Sequence, residues 1–177
     1  MRDLLLGREP EDWDVATLAA PEQIQNIFPD NFYENKFFTV TVRTQSSNPK
    51  LKEIEVTSYR SDLRYGDRRH PEEVVFAKTI EEDLARRDFT MNAIALKLNG
   101  DVVDPFGGRK DLKAKLIRAV GNAQERFQED ALRMMRGVRF CATLGFLLEP
   151  ETKEAIAKNA PLLKEISQER IRDELKK

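Results

Sequence analysis

Alternating apolar and polar residues predict two hairpins in the first two thirds of the chain. Residues 36–43 and 51–60 are rich in β-branched and aromatic side chains, and a turn-forming Ser-Ser-Asn-Pro-Lys segment separates them. Residues 93–103 predict the second hairpin, because Asn99-Gly100 favours the positive φ angles of a type I′ turn. The polar segment over residues 61–71 is rich in arginine and is typical of a mobile loop.

Helical signals occur at three other places in this part of the chain. Residues 1–7 predict the end of a helix that stops at glycine. Residues 21–28 predict a helix whose apolar face consists of Ile24, Ile27 and Phe28. Thr79, followed by acidic residues, predicts the start of a third helix.

The pattern changes near residue 120, and from Asn122 onward it contains no strand signal. Residues 126–144, 150–158 and 167–176 are all helical in pattern. We therefore predict an α+β protein with two domains. A head over residues 1–120 contains the sheet, and a helical neck covers residues 121–177.

The amino-acid composition limits the classes of protein to which the chain can belong. With 177 residues, 34% charged and 40% hydrophobic, the chain is long enough for a core and typical of a globular protein. The single cysteine, Cys141, excludes an intrachain disulfide, favours a reducing compartment and is expected in the core. A net charge of −1 does not indicate a nucleic-acid binder. No run approaches the ~18 apolar residues of a membrane span, so we expect a cytoplasmic protein with no membrane partner.

Asp12 and Asp14 are the first candidate functional residues. Residues two apart in an extended segment point to the same face, so both carboxylates can converge on one hard cation. The predicted strand over residues 51–60 has Glu53 and Glu55 on its polar face, and either can join the aspartates. Three neighbouring carboxylates repel one another unless a divalent cation lies between them, which favours Mg²⁺. The alternative is a solvated sheet face with ordinary charges.

Charged residues also cluster in the segment after the third predicted helix. The adjacent residues Arg86 and Arg87 offer fixed donors for phosphate or carboxylate. Asp88 and Asn92 can hydrogen-bond the hydroxyls of a ribose. The alternative is a helix terminus whose charges satisfy one another.

In the predicted helix over residues 126–144, Asp130, Arg133 and Arg136 fall on one face. Cytosine and adenine both present an exocyclic amino group beside a ring-nitrogen acceptor, so one aspartate and one arginine can pair with either base. Uracil and guanine present a carbonyl oxygen where the carboxylate requires a proton. We predict recognition of cytosine and adenine, with an intrahelical salt bridge as the alternative.

The segment Asp104-Pro-Phe-Gly107-Gly108 lies where the predicted head meets the neck. Paired glycines there can serve as a hinge. The alternative is a cap that ends a strand and starts a helix. His70, the only histidine, lies in the predicted loop, and nothing nominates it as a base.

Five motifs, in this order, resemble the class II tRNA nucleotidyltransferase and bacterial poly(A) polymerase family. The first is Arg2-Asp-Leu-Leu-Leu-Gly with Asp12-Trp-Asp14 behind it, and the others are Arg86-Arg-Asp-Phe-Thr-Met-Asn-Ala, Asp104-Pro-Phe-Gly-Gly, Glu129-Asp-Ala-Leu-Arg and Glu169-Arg-Ile-Arg-Asp-Glu. The resemblance implies a head with the polymerase-β-like nucleotidyltransferase fold, followed by a helical neck.

The resemblance also implies roles for single residues. Asp12 and Asp14 match the pair that binds the catalytic Mg²⁺, and Glu55 best matches the third acidic residue of the catalytic set. Asp130 and Arg133 match the pair that acts as an amino-acid template for CTP and ATP.

Further residues are implied to bind the nucleotide sugar and phosphates, namely Arg2, Arg86, Arg87, Asp88, Asn92 and Arg136. Residues 104–108 match a flexible element of the family, and the last motif supports the neck helices.

By this resemblance, the reaction is attack of a tRNA 3′-hydroxyl on the α-phosphate of CTP or ATP, with release of pyrophosphate. The expected partners are therefore CTP, ATP and the 3′ end of tRNA, and the expected cofactor is Mg²⁺. Poly(A) polymerases and enzymes that add only CC or only A share the motifs and stay open as alternatives.

The chain differs from the family at both ends. Relatives have a strand and a Gly-Gly or Gly-Ser turn before the residue that matches Arg2, and they continue past the neck into body and tail domains. We therefore expect a fragment truncated at both ends, with an exposed sheet edge. An alternative of another class is a catalytically inactive nucleotide-binding fragment that forms a homodimer through that edge.

Overall fold

The computed structural model of the chain describes residues 1–34, 38–65 and 71–177. The helices are α1 Arg2–Leu5, α2 Pro21–Ile27, α3 Ile80–Ala85, α4 Gly108–Ala114, α5 Ala123–Glu129, α6 Leu132–Leu144, α7 Pro150–Asn159 and α8 Gln168–Leu175. The strands are β1 Asp14–Thr17, β2 Asn31–Glu34, β3 Thr39–Arg43, β4 Glu53–Ser58, β5 Arg60–Tyr65, β6 Pro71–Phe76, β7 Ala95–Leu96, β8 Val102–Val103, β9 Leu116–Ile117 and β10 Leu147–Leu148. The predicted α+β class is confirmed. None of the helices in the described ranges is long and apolar enough to cross a membrane.

A four-stranded sheet with the order β1-β4-β3-β2 forms the centre of the first part of the chain. β1 is parallel to β4, whereas the β3–β4 and β2–β3 pairs are antiparallel. One face packs the valines of β3 and β4 against Ile24 of α2. Register partners share a face. Asp14 is in register with Glu55, so these two residues lie together on the opposite, polar face.

The first predicted hairpin is confirmed as β3 and β4, although residues 35–37 lie outside the described part of the chain. The predicted loop over residues 61–71 is wrong where the structure describes it, because β5 and β6 pair as antiparallel strands. Residues 66–70, which include His70, lie outside the described part. The strands escape prediction because main-chain ladder bonds do not require an apolar side-chain pattern.

The helix predicted over residues 21–28 is confirmed as α2, but most of its predicted apolar face is not buried. Ile24 is buried against the sheet, whereas Ile27 and Phe28 are exposed. Phe28 is the C-cap of α2 and has an extended backbone (φ −117°, ψ 97°), so it lies outside the helix whose face it was predicted to share.

The second hairpin is confirmed as β7 and β8, but its turn type differs from the prediction. The Gly100 N–H donates to the Lys97 carbonyl (2.9 Å), and the Lys97 N–H donates to the Asp101 carbonyl (2.8 Å). Within this loop only Gly100 has a positive φ. These features match a three-residue loop, a type I turn followed by a left-handed glycine, and not a two-residue type I′ turn.

The largest apolar cluster contains residues from both sides of the predicted domain boundary. Phe89 and Ile117 lie in this cluster together with Phe127 and Phe140, and the Phe89 and Phe140 rings meet edge to face at 5.9 Å. β9 also pairs in parallel with β10, so the prediction that no strand follows Asn122 is wrong. A strand of two residues is too short to give a periodic signal. The boundary near residue 120 stays a prediction, although one core joins the two parts.

The predicted single helix over residues 126–144 is wrong, because α5 ends at Glu129 and α6 begins at Leu132. Asp130 has an extended backbone between them (φ −143°, ψ 104°). Its carboxylate Oδ1 accepts a hydrogen bond from the Leu132 N–H (3.1 Å). Asp130 therefore caps α6 with its side chain, which a count of apolar positions does not reveal. The last two predicted helices are confirmed as α7 and α8.

Gly108 offers a test of how closely α4 packs on the segment that carries Asn92. A Cβ atom at Gly108 would overlap the backbone carbonyl of Thr90 and approach the Ile94 side chain. We expect Gly108→Ala to lower the free energy of unfolding by roughly 1–3 kcal/mol, because the backbone must shift to relieve the overlap. Urea unfolding measures the change. Lys110→Ala, at an exposed position of the same helix, is the control and should unfold within about 0.5 kcal/mol of the wild type. An unchanged midpoint for Gly108→Ala would contradict the packing.

Candidate active site

Asp12 and Asp14 lie close enough to affect each other electrostatically. Asp14 begins β1, and Asp12 lies two residues before it, outside the strand. Burial raises the pKa of the Asp14 carboxyl above its ordinary value, the negative charge of Asp12 raises it further, and Arg87 and the N-terminal amine oppose both. The acidic pair therefore lies within the field of an arginine that the sequence places among the phosphate donors.

The acidic pair fits a magnesium ion, because its oxygens are hard ligands and its charges repel each other. The ion is usually held by one or two carboxylates together with substrate phosphates, and not by a cage made only of protein ligands. Within the described ranges, no group of three or more His, Cys, Asp or Glu side chains is close enough to hold a metal ion. The role of Glu55 as a third acidic residue stays a prediction. Its neighbour in register is Asp14.

Arg86 and Arg87 differ in how they are held. Arg86 donates two hydrogen bonds to one carboxylate oxygen of Asp83, from Nε at 3.2 Å and from a terminal nitrogen at 3.0 Å. Arg87 approaches the other oxygen of Asp83 only to 3.7 Å. The Arg87 Nε is buried and has no hydrogen-bond partner in the described part of the chain. The Arg87 side chain is also 36% exposed, against 18% for Arg86, so Arg87 is the better candidate of the two for binding an external anion.

Asp88 lies at the centre of a buried network. Its Oδ1 accepts hydrogen bonds from the Phe89 N–H (2.7 Å) and the Asn92 side chain (3.0 Å), and its Oδ2 accepts one from Arg136 Nε (2.7 Å). Burial opposes the charged form, but Arg136 and these hydrogen bonds outweigh it and lower the pKa of Asp88. The Asn92 oxygen accepts a hydrogen bond from Arg2 at 3.1 Å. This geometry matches the alternative interpretation, in which the charges satisfy one another.

Asp130 and Arg133 lie three residues apart in sequence, but their side chains bind other groups. Arg133 donates to the Glu129 carboxylate (2.8 Å) and to the Arg86 carbonyl (3.1 Å). The Asp130 carboxylate accepts hydrogen bonds from Arg170 of α8 at 3.2 and 3.4 Å. The two predicted base-recognition groups are therefore held in place before any nucleotide contacts them.

Arg136 connects the two halves of the site electrostatically. Burial lowers its pKa, but Asp88 raises it through charge and a hydrogen bond, and Glu174 and Asp130 add to that effect, so the pKa rises overall. The ion pair between Arg136 and Asp88, at 2.7 Å, thus joins α6, which begins two residues after Asp130, to the segment that carries Arg87.

Asp104, Gly107 and Gly108 form a compact cap. The Asp104 carboxylate accepts hydrogen bonds from the N–H groups of Gly108 (2.6 Å) and Arg109 (2.9 Å) at the start of α4. Gly107 has a positive φ of 71°. This arrangement matches the alternative interpretation, in which the segment ends a strand and starts a helix. The hinge role stays a prediction.

The sequence interpretation missed three residues that hold the site together, namely Asp83, Glu129 and Arg170. Asp83 and Glu129 could have been found, because they stand three or four residues before the arginines that they bind. Arg170 lies 40 residues from Asp130, so local spacing gives no signal for that contact.

Two family models match the chain. A model described as the poly A polymerase head domain matches residues 1–118, and one described as the probable RNA and SrmB-binding site of polymerase A matches residues 145–177. The chain is also similar to the CCA-adding enzyme of Geobacillus stearothermophilus. The two are 52% identical over 178 residues, which cover 100% of this chain and 43% of that protein.

Solved structures show the same similarity. The crystal structure of the Bacillus stearothermophilus CCA-adding enzyme in complex with CTP matches with a TM-score of 0.87 and 48% identity, over 98% of this chain and 41% of that one. A tRNA nucleotidyltransferase complexed with a primer tRNA and an incoming ATP analog matches with a TM-score of 0.77 and 31% identity, over 99% of this chain and 49% of that one. This chain therefore spans less than half the length of these relatives.

Proposed function

Because the chain belongs to the family of the poly A polymerase head domain, we propose that it is the head and neck of an enzyme that adds CCA to tRNA. The reaction would transfer CMP and AMP from CTP and ATP to the 3′-hydroxyl of tRNA. The observation that carries the proposal is the ion pair between Asp88 and Arg136 (2.7 Å), which joins the segment of Arg87 to the helix that follows Asp130. The similar proteins include one in complex with CTP and one with a primer tRNA and an ATP analog.

The acidic pair takes the role of holding the metal in this proposal. Bound Mg²⁺ would activate the attacking hydroxyl and stabilise the charge on the transferred phosphate. Asp12 and Asp14 would supply its carboxylate oxygens, and Arg87, whose side chain is 36% exposed, would donate to the polyphosphate with the terminal nitrogens of its guanidinium. Arg136 would lie between the phosphates and the base, held by Asp88.

Base selection is proposed for Asp130 and Arg133. The Asp130 carboxylate would accept a hydrogen bond from the exocyclic amino group of cytosine or adenine, and Arg133 would donate one to the ring nitrogen beside it. Arg170 and Glu129 hold these groups with charge-assisted hydrogen bonds, so neither side chain needs to be ordered at the moment of binding.

The two family matches, at residues 1–118 and 145–177, support a division of the chain into a head and a neck.

Incorporation of single nucleotides tests the proposal. The chain would be incubated with Mg²⁺, one NTP at a time, and tRNA ending before CCA, before CA or before A. We expect CMP to be added to the first two substrates and AMP to the third, with no product when a chelator removes the metal. Long A tails would instead support a poly(A) polymerase, and addition of only CC or only A would support the narrower enzymes.

A second candidate function is nucleotide binding without catalytic activity, in a chain that forms a homodimer. β1 lies at the edge of the four-stranded sheet, and Val15 within it is 46% exposed. Binding of CTP or ATP without incorporation, together with a dimer mass by light scattering, would favour this candidate and contradict the first.

A further inference from the structure

Asp83 is a buried carboxylate that the proposed catalytic mechanism does not use. It lies on α3, and its side chain is only 2% exposed. Its Oδ1 accepts hydrogen bonds from Arg86 and from the Arg60 N–H at 3.3 Å. Its Oδ2 is buried and accepts no hydrogen bond within the described part of the chain. Burial of a carboxylate is costly unless paired cations stabilise it, so its position implies a specific use.

Arg86 and Arg87 contact the two carboxylate oxygens of Asp83 in different ways. Arg86, with a side chain 18% exposed, is fixed by two hydrogen bonds to Oδ1. Arg87, with a side chain 36% exposed, stays 3.7 Å from Oδ2, which is beyond hydrogen-bond distance. The Arg86 guanidinium is therefore fixed by Asp83, whereas the Arg87 guanidinium keeps N–H donors for an acceptor on a ligand.

The turn at the end of α3, where Arg86 is bound by Asp83, also accepts hydrogen bonds from two arginines of the predicted neck. The Ala85 carbonyl accepts a hydrogen bond from Arg126 (3.3 Å), and the Arg86 carbonyl accepts one from Arg133 (3.1 Å). These carbonyls lie at the C-terminal end of α3, where a helix favours cations. The position of the base-recognition arginine thus depends on the residue that Asp83 fixes.

We propose that Asp83 is a positioning residue. It fixes the Arg86 side chain, and with it the Arg86 carbonyl that accepts a hydrogen bond from Arg133. It leaves Arg87 to bind the polyphosphate of the nucleotide. The identity of that ligand rests on the proposed function. The assignment gives the two adjacent arginines separate tasks, with Arg86 acting inside the protein and Arg87 acting on the nucleotide.

Asp83→Asn tests the proposal, because it keeps the shape of the side chain and removes its charge. Glu81→Gln is the matched control, since it removes an exposed carboxylate from the first turn of the same helix. Calorimetric titration with CTP and with UTP, in the presence of Mg²⁺, measures binding. We expect the Kd for CTP to rise about tenfold in Asp83→Asn, the CTP preference over UTP to fall, and the control to match the wild type. Unchanged CTP affinity and preference in a folded Asp83→Asn variant would overturn the proposal.

A nucleotide-free measurement separates this inference from the proposed function. The Arg86 Nε–H should give a slowly exchanging NMR signal in the wild type and in Glu81→Gln, and lose that protection in Asp83→Asn. A double variant gives a second test. If Asp83→Asn and Arg86→Ala break the same contact, adding Asp83→Asn to Arg86→Ala should raise the Kd for CTP by less than a further twofold. Fully additive effects, or a fast-exchanging wild-type Arg86 signal, would contradict the fixing of Arg86 by Asp83 even if the chain bound CTP. A protected signal in a chain that binds no nucleotide would instead reject the proposed function alone.

Discussion

Asp12→Asn is expected to lower the rate of nucleotide incorporation by about 10³-fold or more, which corresponds to roughly 4 kcal/mol of transition-state stabilisation. The substitution keeps the size of the side chain but removes one of the two carboxylates proposed to hold Mg²⁺. Fold and stability should change little, because Asp12 is exposed and lies outside the strands. Single-turnover incorporation of CMP measures the rate, and urea unfolding checks the fold.

Glu11→Gln is the matched control for this substitution. Glu11 is the adjacent carboxylate, it is exposed, and it forms an ion pair with Lys50 (3.3 Å). We expect its incorporation rate to stay within twofold of the wild type. An Asp12→Asn rate equal to that of the control would show that the metal assignment is wrong.

The acidic pair also gives a readout that does not require turnover. Burial, and then the Asp12 charge, raise the pKa of the Asp14 carboxyl. Ionisation of Asp14 therefore opposes folding, and its unfavourable contribution develops as the pH rises above the ordinary Asp pKa. In Asp12→Asn the pKa of Asp14 should fall toward the ordinary value, and bound Mg²⁺ should lower it in the wild type. Carboxyl carbon NMR titrations measure both shifts.

The fold was predictable from the sequence where short-range signals determine it. The β3–β4 hairpin, the Thr79 cap of α3 and the two last helices all follow from local spacing, and all are confirmed. The parallel pair of β9 and β10 joins segments about 30 residues apart, and each strand has only two residues. Such pairs depend on the packing of the whole core, so periodicity within a window does not reveal them.

The candidate site follows the same division. Motif order brought the sequence interpretation to Asp12, Arg87 and Asp130, since each residue carries its chemistry in its own side chain. The contacts that hold these groups were not predictable to the same extent. The ion pair between Asp130 and Arg170 needs α8 to pack against the start of α6, and the break at Asp130 depends on a side-chain cap. The residues proposed to perform chemistry are thus easier to nominate from the sequence than the residues that position them.

Arg133→Ala is expected to reduce the preference for CTP and ATP over UTP and GTP by about 10- to 100-fold. Cytosine and adenine lose the donor that pairs with their ring nitrogen. Uracil and guanine carry a proton at that position, so they lose an unfavourable contact between two donors. Affinity for CTP should therefore fall, while affinity for UTP should stay the same or rise.

Arg133→Ala should lower the free energy of unfolding by roughly 1–3 kcal/mol, because buried Arg133 donates to the Arg86 and Arg126 carbonyls, so urea unfolding must confirm that the variant is folded. Glu129 keeps its ion pair with Arg126 at 3.2 Å. Arg172→Ala is the control, since it removes an exposed arginine of α8 whose partners are also exposed. Incorporation from each NTP, compared as kcat/KM, measures the preference. A uniform loss for all four nucleotides would place Arg133 on the phosphates or in the scaffold, and would contradict a role in choosing the base.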